Sequence, residues 1–538
     1  MSDFILSIKI IPEDEDLLTM KDASKWASEY LNKEVSESNI SYLVQYGKVK
    51  KHNINGNTYV SKCDLIKYYK SYHGKREINW KNKLGDDLNW SLSFDNLREK
   101  DTTKHVHRLH PYKGKFIPQL VEYFLDNHVN NFKKERFFNK GGIVLDPFCG
   151  SGTTLIQTSE LGLHAIGIDV SAFNAIISNA KIAKYDLVDL NREIKKITGL
   201  QNEYAQKTNV SMFEQELLER LYEFNNKYFP TPNFRYKVSQ KEIDEKEFGS
   251  KKAKEFLPIY ENLINKYSIK LKQPKSDSFL DKWYIQSTRE EINYILELIN
   301  KIKDRNKKRI MSIILSRTVR SCRATTHSDL ATLKNPQFNS YYCVKHKKIC
   351  KPLFSIRTKW RTYCKDTLKR LFEFDKLRTN TYQICLIGDS RTINIFNELE
   401  RKNISFSNLA NDMKINGIFS SPPYVGIIDY HEQHAYAYNL FDFKRLDDLE
   451  IGPLHKGSGR EARNSYVEGI SAVLKNCKKH LVNNYNIFIV ANDKYNLYPI
   501  IAENAGMTII NQYKRPVLNR TERDKGAYSE IIFHLKEK

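Results

Sequence analysis

Four consecutive residues, Ser421-Pro422-Pro423-Tyr424, follow an apolar run that is typical of a buried strand. Proline has no N–H to donate to a sheet, so the pair ends the strand, and its fixed φ angle keeps the backbone stiffly extended. The strand end therefore presents a hydroxyl, backbone carbonyls of fixed direction and an aromatic ring. We interpret it as a platform that offers these groups to another molecule.

A glycine-rich loop, DPFCGSGTT at 146–154, lies between a predicted strand and a predicted helix. Gly150 and Gly152 allow a tight turn and a close approach to a ligand, and the helix N-terminus beyond them offers unpaired N–H groups. The spacing fits neither the dinucleotide fingerprint nor the P-loop, whose lysine is absent. Asp169 ends the next predicted strand, where an acid typically accepts from ribose hydroxyls. The pattern predicts a cofactor with a ribose but no pyrophosphate.

The elements that must position these residues follow an α/β pattern. Residues 105–190 and 381–538 contain short β-branched runs that are typical of parallel strands, namely IVL at 143–145, HAIGIDV at 164–170, YQICLIGDS at 382–390, KINGIFSSPPY at 414–424, YNIFIVANDK at 485–494 and SEIIFHLKEK at 529–538. Long charged helical patterns fill 191–380, which predicts a mainly helical domain inserted into one sheet, because a structureless loop of that length would be abnormal. Residues 1–75 read as helix, helix, hairpin with an Asn-Gly turn, and helix, and 76–104 as a polar linker.

Charge and composition restrict the partners. The 538 residues carry 87 Lys and Arg against 64 acids, a formal charge of +23, which favours nucleic acid over a membrane or a merely soluble basic protein. The sequence contains no stretch of 18 uninterrupted apolar residues, so we predict no membrane span, and the N-terminus lacks the features of a secretory signal. Eight cysteines in a chain of this length suit a reducing cytoplasm better than a disulfide scaffold.

Together, DPFCGSGTT and the downstream SSPPY resemble the amino-group DNA methyltransferases of the SPPY type, which methylate cytosine N4 or adenine N6 with S-adenosyl-L-methionine. The resemblance implies a Rossmann-like methyltransferase sheet built from 105–190 (the cofactor half) and 381–538 (the catalytic half). It implies a target-recognition domain in the insert, 191–380. It also implies a set of cofactor-binding residues, some from the segment before the loop: Lys115, Phe116, Asp146, Phe148, Cys149, Gly150, Gly152, Thr153, Asp169 and Asp389.

The same resemblance gives the proline pair a chemical role. An exocyclic amine is a poor nucleophile because its lone pair is delocalised into the ring. The Ser421 hydroxyl and the Pro422 carbonyl would accept its two hydrogens and draw the nitrogen toward tetrahedral geometry, while Pro423 keeps the backbone rigid. Tyr424 would stack on the base after it leaves the duplex. In this family serine at the first position usually accompanies cytosine N4, and adenine N6 is the alternative.

The partners and the N-terminal region follow from further likenesses. Residues 1–75 resemble an excisionase-type or MerR-type winged helix-turn-helix that contacts DNA, although a small helical domain docked on the rest of the chain is the alternative. The methyltransferase family implies double-stranded DNA as substrate, a cognate restriction endonuclease as a further partner, and a prokaryotic cytoplasm. A catalytically inactive DNA-binding regulator and an RNA substrate are the other functions compatible with the sequence.

Basic residues in the insert suggest a contact surface for DNA. Arg317, Arg320 and Arg323 recur every three residues, which predicts a stripe along one helix face. Neighbouring lysines between 345 and 351 favour DNA over the alternative of a solvated helix face.

Cysteine and histidine spacing in the insert raises the question of a metal site. Cys343, His346 and Cys350 have the spacing of metal ligands. A fourth ligand could come from Cys322, His327 or Cys364. Because paired C-x-x-C motifs are absent, partly buried thiols beside a basic patch are the favoured interpretation, and zinc is the alternative.

Overall fold

The computed structural model describes residues 17–31, 34–54, 56–70, 83–85, 87–94, 97–274, 277–329, 334–517 and 528–538. The strands, β1 to β12 in chain order, span Leu17–Thr19, Lys51–Ile54, Asn57–Ser61, Ile143–Asp146, His164–Asp169, Tyr341–Cys343, Lys348–Cys350, Gln383–Ile387, Ile415–Ser420, Leu481–Ala491, Met507–Pro516 and Ser529–Glu537. The α-helices span Met20–Leu31, Glu37–Gln45, Lys62–Lys70, Glu99–Thr102, Pro118–Leu125, Thr153–Leu161, Ala172–Ile182, Leu187–Gln206, Val210–Tyr228, Asn233–Ser239, Glu245–Lys266, Phe279–Trp283, Gln286–Asn300, Arg305–Ser321, Arg357–Asp375, Ile395–Lys402, Ile404–Met413, Tyr430–Gln433, Ala435–Phe441, Arg460–Lys478 and Tyr498–Asn504.

The chain divides into two compact units, each assembled from separate stretches of sequence. The first unit comprises Met1–Asn79, Asn209–Lys270 and Ala324–Pro352, and the second comprises Trp80–Thr208, Leu271–Arg323 and Leu353–Lys538. Residues of the predicted insert, 191–380, fall in both units. The predicted domain boundaries and the target-recognition role of the insert stay predictions.

A seven-stranded sheet organises the second unit, in the order β11-β12-β10-β9-β4-β5-β8. Its strands run parallel except β12, which pairs antiparallel with both β10 and β11. The predicted α/β architecture is therefore confirmed, and so are the strands expected at β4, β5, β8, β9, β10 and β12. Strand β11 was not predicted, because its alternating polar residues hide the short apolar pattern.

The two predicted halves meet in the middle of this sheet. Strand β4 pairs in parallel with β9, so that Val144 lies beside Gly417 and Leu145 beside Ile418. The chain order reverses between these neighbours, since β5 and β8 continue to one side and β10 to the other. In a parallel sheet such a reversal leaves a crevice beyond the carboxyl ends of the two strands, where ligands bind.

Burial on both faces explains why β4 has no polar alternation. Ile143 and Leu145 pack into one hydrophobic cluster and Val144 into another, because successive side chains of a strand point to opposite faces. Helices therefore cover both sides of the sheet. The carboxyl edge, where β4 and β9 end, is fixed by this packing.

The first unit contains a three-stranded sheet in the order β1-β3-β2 and the helices around it. The predicted order of helix, helix, hairpin and helix over 20–70 is confirmed. Ser36 begins the second helix as its N-cap, as predicted, by accepting from the Asn39 amide. Gly56 supplies the left-handed turn of the hairpin at φ +80°, while Asn55 lies outside the described residues. The winged-helix assignment and its DNA contact stay predictions.

A second, smaller sheet in the first unit consists of β6 and β7 alone. It accompanies the helices Val210–Tyr228, Asn233–Ser239 and Glu245–Lys266. Across the part of the chain that is described, no helix combines the length and the apolar composition needed to cross a membrane.

Candidate active site

The glycine loop and the proline pair are joined directly by side chains at the carboxyl edge of the sheet. Ser420, the last residue of β9, donates its hydroxyl to Asp146 Oδ1 at 2.5 Å, although the two residues are 274 positions apart. Thr154 Oγ1 donates to the Phe419 carbonyl at 3.3 Å. Burial raises the pKa of Asp146 to about 6, and the hydrogen bonds from Ser420 and Thr154 oppose that rise. The two motifs thus form one site.

Both loop glycines occupy positions that another residue could not. Gly150 has φ +51°, and a Cβ there would lie 3.0 Å from the Tyr112 hydroxyl. Gly152 has φ +79°, and its Cβ would lie 2.9 Å from Ser178 Oγ. Left-handed backbone and close approach therefore both require glycine. Ser178 Oγ donates to the Gly150 carbonyl at 3.0 Å, which fixes the loop against the next helix.

A buried lysine also holds this loop. Lys181 donates its ammonium to the Ser151 carbonyl at 2.7 Å. Its side chain is buried, and burial lowers its pKa well below the usual value. No sequence pattern pointed to this residue, because a lysine in a helical segment reads as solvent-exposed.

Asp169 lies at the end of β5 and accepts hydrogen bonds from three donors. Its Oδ2 accepts from the Gly150 amide at 2.8 Å, and its Oδ1 accepts from the Ser171 amide at 2.8 Å and the Asn174 side chain at 3.2 Å. Burial nevertheless raises its pKa to about 6. The Asp169 carboxylate thus holds the glycine loop through the Gly150 amide and lines the same cavity as the loop.

A cavity opens at this edge of the sheet, beyond the carboxyl ends of β4 and β9, where parallel sheets with such a reversal of strand order bind ligands. Most of the predicted residues line it: Lys115, Phe116, Asp146, Phe148, Cys149, Gly150, Thr153, Asp169, Asp389, Ser421 and Pro423. Gly152 does not line the cavity and instead begins the helix Thr153–Leu161 as its N-cap. Pro422 and Tyr424 also lie outside this cavity lining.

Two charged residues of the lining are held by fixed partners. Lys115 donates to the His107 carbonyl at 2.7 Å, and burial lowers its pKa to about 8. Asp389 pairs with Arg391 at 2.7 Å. Burial by itself would raise the pKa of Asp389, but the hydrogen bonds from Arg391 outweigh it, and the pKa is lowered.

Several residues of the cavity escaped sequence reasoning. They are polar or aromatic side chains from three separate segments: Tyr112, Ser171, Asn174, Tyr430, His431 and Glu450. Tyr112 stood within the segment that resembles the family's pre-loop region, so its position was a usable signal. The others follow no motif, and only the fold brings them together.

Tyr424 does not line the cofactor-side cavity and is anchored at its hydroxyl. It donates to Glu530 Oε1 at 2.8 Å, and Glu530 Oε2 lies 3.4 Å from Arg515 Nε. Burial and the Glu530 carboxylate raise the pKa of Tyr424 well above its usual value, so the hydroxyl keeps its proton and donates. Glu530 comes from the last strand and carried no signal in the sequence.

A second cavity adjoins the other side of the proline motif. It is lined by Tyr424, Val425, Gly426, Ile427, Ser458, Tyr466, Asn492, Asp493, Lys494, Tyr495, Leu497 and Tyr498. Ser421 and Pro423 line the first cavity and Tyr424 lines the second. The four-residue motif therefore contributes to the walls of two cavities.

The predicted arginine stripe is wrong for two of its three members. Arg317 is buried and pairs with Asp366 at 2.5 Å, and its guanidinium stacks on Tyr363. Arg323 is buried over the Tyr436 ring. Spacing of three residues predicted one helical face, but Arg317 lies on the helix Arg305–Ser321, which is buried along most of its length, and Arg323 lies beyond the end of that helix. Arg320 is partly exposed, and its role stays a prediction.

Comparison with known proteins agrees with this geometry. A family model described as DNA methylase, covering N6 and N4 methyltransferases, matches residues 14–180. The chain is 48% identical to the type II methyltransferase M.MjaII of Methanocaldococcus jannaschii, over 97% of both proteins. The chain belongs to the N6/N4 amino-methyltransferases of DNA. It shares shorter stretches with two further type II methyltransferases: M.BsoBI of Geobacillus stearothermophilus (34% over 101 residues, 18% of each chain) and M.MvaI of Kocuria varians (33% over 112 residues, 21% of this chain and 23% of the relative).

The cavity at the carboxyl edge of the sheet fits the methyl donor of this DNA methyltransferase, S-adenosyl-L-methionine. Four buried polar atoms in the cavity lining have no hydrogen-bond partner among the described residues: Ser151 Oγ, Asn174 Oδ1, His431 Nε2 and Glu450 Oε2. Unpaired buried polar atoms are costly unless a ligand or water completes them. Four carboxylates and a glycine turn in the same lining suit a cationic sulfonium ligand with amino and ribose groups.

Proposed function

We propose that this DNA methyltransferase methylates the exocyclic N4 amine of cytosine within a specific sequence of duplex DNA. The observation that carries the proposal is the position of the proline motif. Ser421 faces the cofactor cavity and Tyr424 faces the adjoining one, while Ser420 is bonded to the cofactor loop. A donor on one side and a base on the other would meet at this motif.

Positioning by the chain is the core of the proposed mechanism. Bound S-adenosyl-L-methionine supplies an electrophilic methyl group. Ser421 Oγ and the Pro422 carbonyl accept the two amine hydrogens, which localises the nitrogen lone pair. The proline pair keeps that carbonyl aimed without rearrangement during the reaction. Holding the nitrogen in line with the methyl group converts a bimolecular step into an effectively unimolecular one.

The second cavity is the proposed pocket for the flipped base. An amine inside the duplex cannot be reached, so the target nucleotide must leave the stack. Tyr424 would stack on it, and such stacking stabilises by about 1–3 kcal/mol per base. The hydrogen bond from Tyr424 to Glu530 supports this role, because it fixes the ring before the base arrives. Asn492 and Asp493 supply polar groups for the edge of the base.

Serine at position 421 supports cytosine N4 over adenine N6, since that residue usually accompanies N4 chemistry in the family. Methylation of adenine N6 remains the second candidate. A catalytically inactive regulator is disfavoured by the complete serine, proline and tyrosine motif beside a fitted cofactor cavity. A cognate endonuclease would complete a restriction-modification system.

DNA contact by the basic chain is part of the same proposal. The net charge of +23 supports an electrostatic contribution to binding. We assign sequence recognition to residues within 191–380, with a further contact from the N-terminal region 1–75. Binding of DNA by such a chain should weaken steeply with salt, because each neutralised phosphate releases counterions. A flat salt response would contradict the assignment.

Nucleoside analysis tests the base. Plasmid DNA is incubated with the purified protein and isotopically labelled S-adenosyl-L-methionine, digested to nucleosides, and analysed by mass spectrometry. We expect label in N4-methyldeoxycytidine, and its loss with Ser421→Ala. Label in N6-methyldeoxyadenosine alone would replace cytosine by adenine. Label only in RNA supplied in parallel, or in no nucleic acid, would refute the proposed function.

A further inference from the structure

Four potential metal ligands converge in the first unit, outside the methyltransferase site. They are His327, Cys343, His346 and Cys350, and their ligand atoms all lie within 4.8 Å of one another. All four belong to Ala324–Pro352, so a single stretch of the first unit supplies the cluster. The spacing of the last three was visible in the sequence, and the fold selects His327 from the three candidates for the fourth position.

Distances between the ligand atoms match a tetrahedral zinc site. Cys343 Sγ lies 3.6 Å from His327 Nδ1, and Cys350 Sγ lies 3.5 Å from His346 Nδ1. Zinc bonds of about 2.3 Å to sulfur and 2.0–2.1 Å to nitrogen, at tetrahedral angles, place sulfur and nitrogen ligands about 3.5 Å apart. These two sulfur–nitrogen separations are those that a shared ion would impose, and the remaining separations lie within 4.8 Å.

The hairpin of β6 and β7 aims both sulfurs at one point. Its register pairs Tyr341 with Cys350 and Cys343 with Lys348, so both cysteines lie on the same face. Lys347 closes the turn in the left-handed region at φ +55°, and its amide donates to the Cys343 carbonyl at 2.6 Å. The His346 amide donates to Cys343 Sγ at 3.4 Å. Such an amide stabilises a thiolate, which is the form that binds metal.

The Tyr341 hydroxyl contacts Nδ1 of His327, the ring nitrogen that would bind the ion. The hydroxyl lies 2.8 Å from His327 Nδ1 and accepts from the His327 backbone amide at 3.2 Å. When the ring nitrogen binds a metal, the hydroxyl keeps the backbone contact. Tyr341 thus orients the loop that carries His327.

The hairpin has little core of its own. Each strand has three residues, and the hydrophobic cluster on it consists of Tyr341, Cys343 and Cys350. An isolated two-stranded hairpin is marginally stable in water, and small units of this kind are commonly held by a structural metal. On the far side, Asn225 makes two hydrogen bonds with the Ile349 backbone, at 2.9 and 3.0 Å.

We propose that His327, Cys343, His346 and Cys350 bind one structural Zn²⁺ ion that ties the β6–β7 hairpin to the loop carrying His327. Four protein ligands close the coordination sphere and leave no position for substrate, so the ion is structural. Sulfur and imidazole ligands in a tetrahedral arrangement favour zinc over the hard cations. This inference is independent of the methylated base.

Metal content tests the site on the full-length chain, purified without an affinity tag. We expect one zinc per chain after exhaustive dialysis, and background levels in the Cys343→Ser/Cys350→Ser double variant. The matched control is Cys63→Ser, which removes an exposed thiol of the same unit and should keep one zinc per chain. Zinc retained in the double variant, or absent from the native chain, would overturn the proposal.

Cobalt replacement gives a readout that does not depend on the folding of a variant. In the native chain, Co²⁺ should produce the intense visible bands of a tetrahedral ion and near-ultraviolet thiolate bands, and Zn²⁺ should bleach both. His327→Ala should weaken metal binding and alter the visible bands, because one ligand is lost. Weak bands typical of octahedral cobalt, or a disulfide between Cys343 and Cys350 found by non-reducing mass spectrometry, would refute the site.

Discussion

The methyltransferase site and the β6–β7 cluster of His327, Cys343, His346 and Cys350 both require a few polar side chains to be held in fixed positions. The fold achieves this in two different ways. At the methyltransferase site, residues hundreds of positions apart are held by adjacent strands of a sheet that is buried on both faces. The cluster comes from one stretch of 24 residues, 327–350, in which a hairpin with three-residue strands carries the cysteines and a separate loop carries His327. A deep core positions a site by itself, whereas a shallow one depends on its ligand.

Substitution of Gly152, which would strain the glycine loop, should have the largest effect on cofactor binding. Gly152→Val places a branched side chain at φ +79°, within contact distance of Ser178. Backbone strain and overpacking of about 1–3 kcal/mol each should weaken S-adenosyl-L-methionine binding roughly 100-fold or more. Calorimetric titration measures it. Gly199→Ala, at a helical position with open space around it, is the control and should bind the cofactor normally. Normal binding of S-adenosyl-L-methionine by Gly152→Val would show that the loop accommodates the larger side chain, which would contradict the prediction.

Loss of the hydroxyl at the strand end should come next. Ser421→Ala should lower turnover by about 10²-fold, because it removes one preorganised group aimed at the reacting amine. The KM for the cofactor should stay unchanged, since the cofactor loop keeps its bond to Ser420. Steady-state methylation assays separate the two parameters. Equal losses in turnover and cofactor affinity would assign Ser421 to binding instead.

Titration of the buried carboxyls of Asp146 and Asp169 should have a more moderate effect, on both stability and cofactor affinity. The folded pKa values of Asp146 and Asp169, about 6, lie above their usual value, so the native cofactor-free protein binds these protons more tightly than the unfolded chain. Its stability should therefore fall as the pH rises through about 6. Cofactor affinity should change in the opposite direction and drop up to roughly tenfold per pH unit below about 6, because a protonated Asp169 is a weaker acceptor.

Titration calorimetry and thermal melts over this pH range measure both effects. Asp169→Asn should flatten the pH profile of cofactor affinity. A profile that is flat in the native protein would contradict the role of the carboxylate.

Chelation should have the smallest effect, confined to stability. Removing zinc from the hairpin should lower the unfolding temperature by a few degrees, since each kcal/mol corresponds to roughly 2–4 °C in a domain of 150–250 residues. Differential scanning calorimetry with and without chelator measures the shift, and added Zn²⁺ should reverse it. Cofactor affinity should not change. A large loss of cofactor affinity on chelation would erase the contrast between the two sites.

Sequence patterns anticipated the site best where a residue type has one structural use. Glycines at 150 and 152, an acid after β5 and a proline pair after β9 each predict a local backbone or a strand end, and the structure brings them to one sheet edge. Prediction was poorest for residues without a local constraint, such as Glu530, Lys181 and Glu450. Their positions depend on contacts with distant segments.

Local spacing was also a poor guide to which helix face meets solvent. Periodicity predicted one shared face for Arg317 and Arg323, but Arg317 is buried against Asp366, and Arg323 lies beyond the end of the helix, over the Tyr436 ring. The positive charge of these arginines by itself predicted a face exposed to solvent or DNA.

The sequence by itself determined the α/β class, the methyltransferase motifs and the basic character of the chain, because each depends on residue type and short-range spacing. Only the tertiary structure decided that β4 and β9 are neighbours, which arginines are buried, and which histidine completes the cysteine cluster. These outcomes depend on how distant segments pack, and packing is a property of the whole chain that no short pattern encodes.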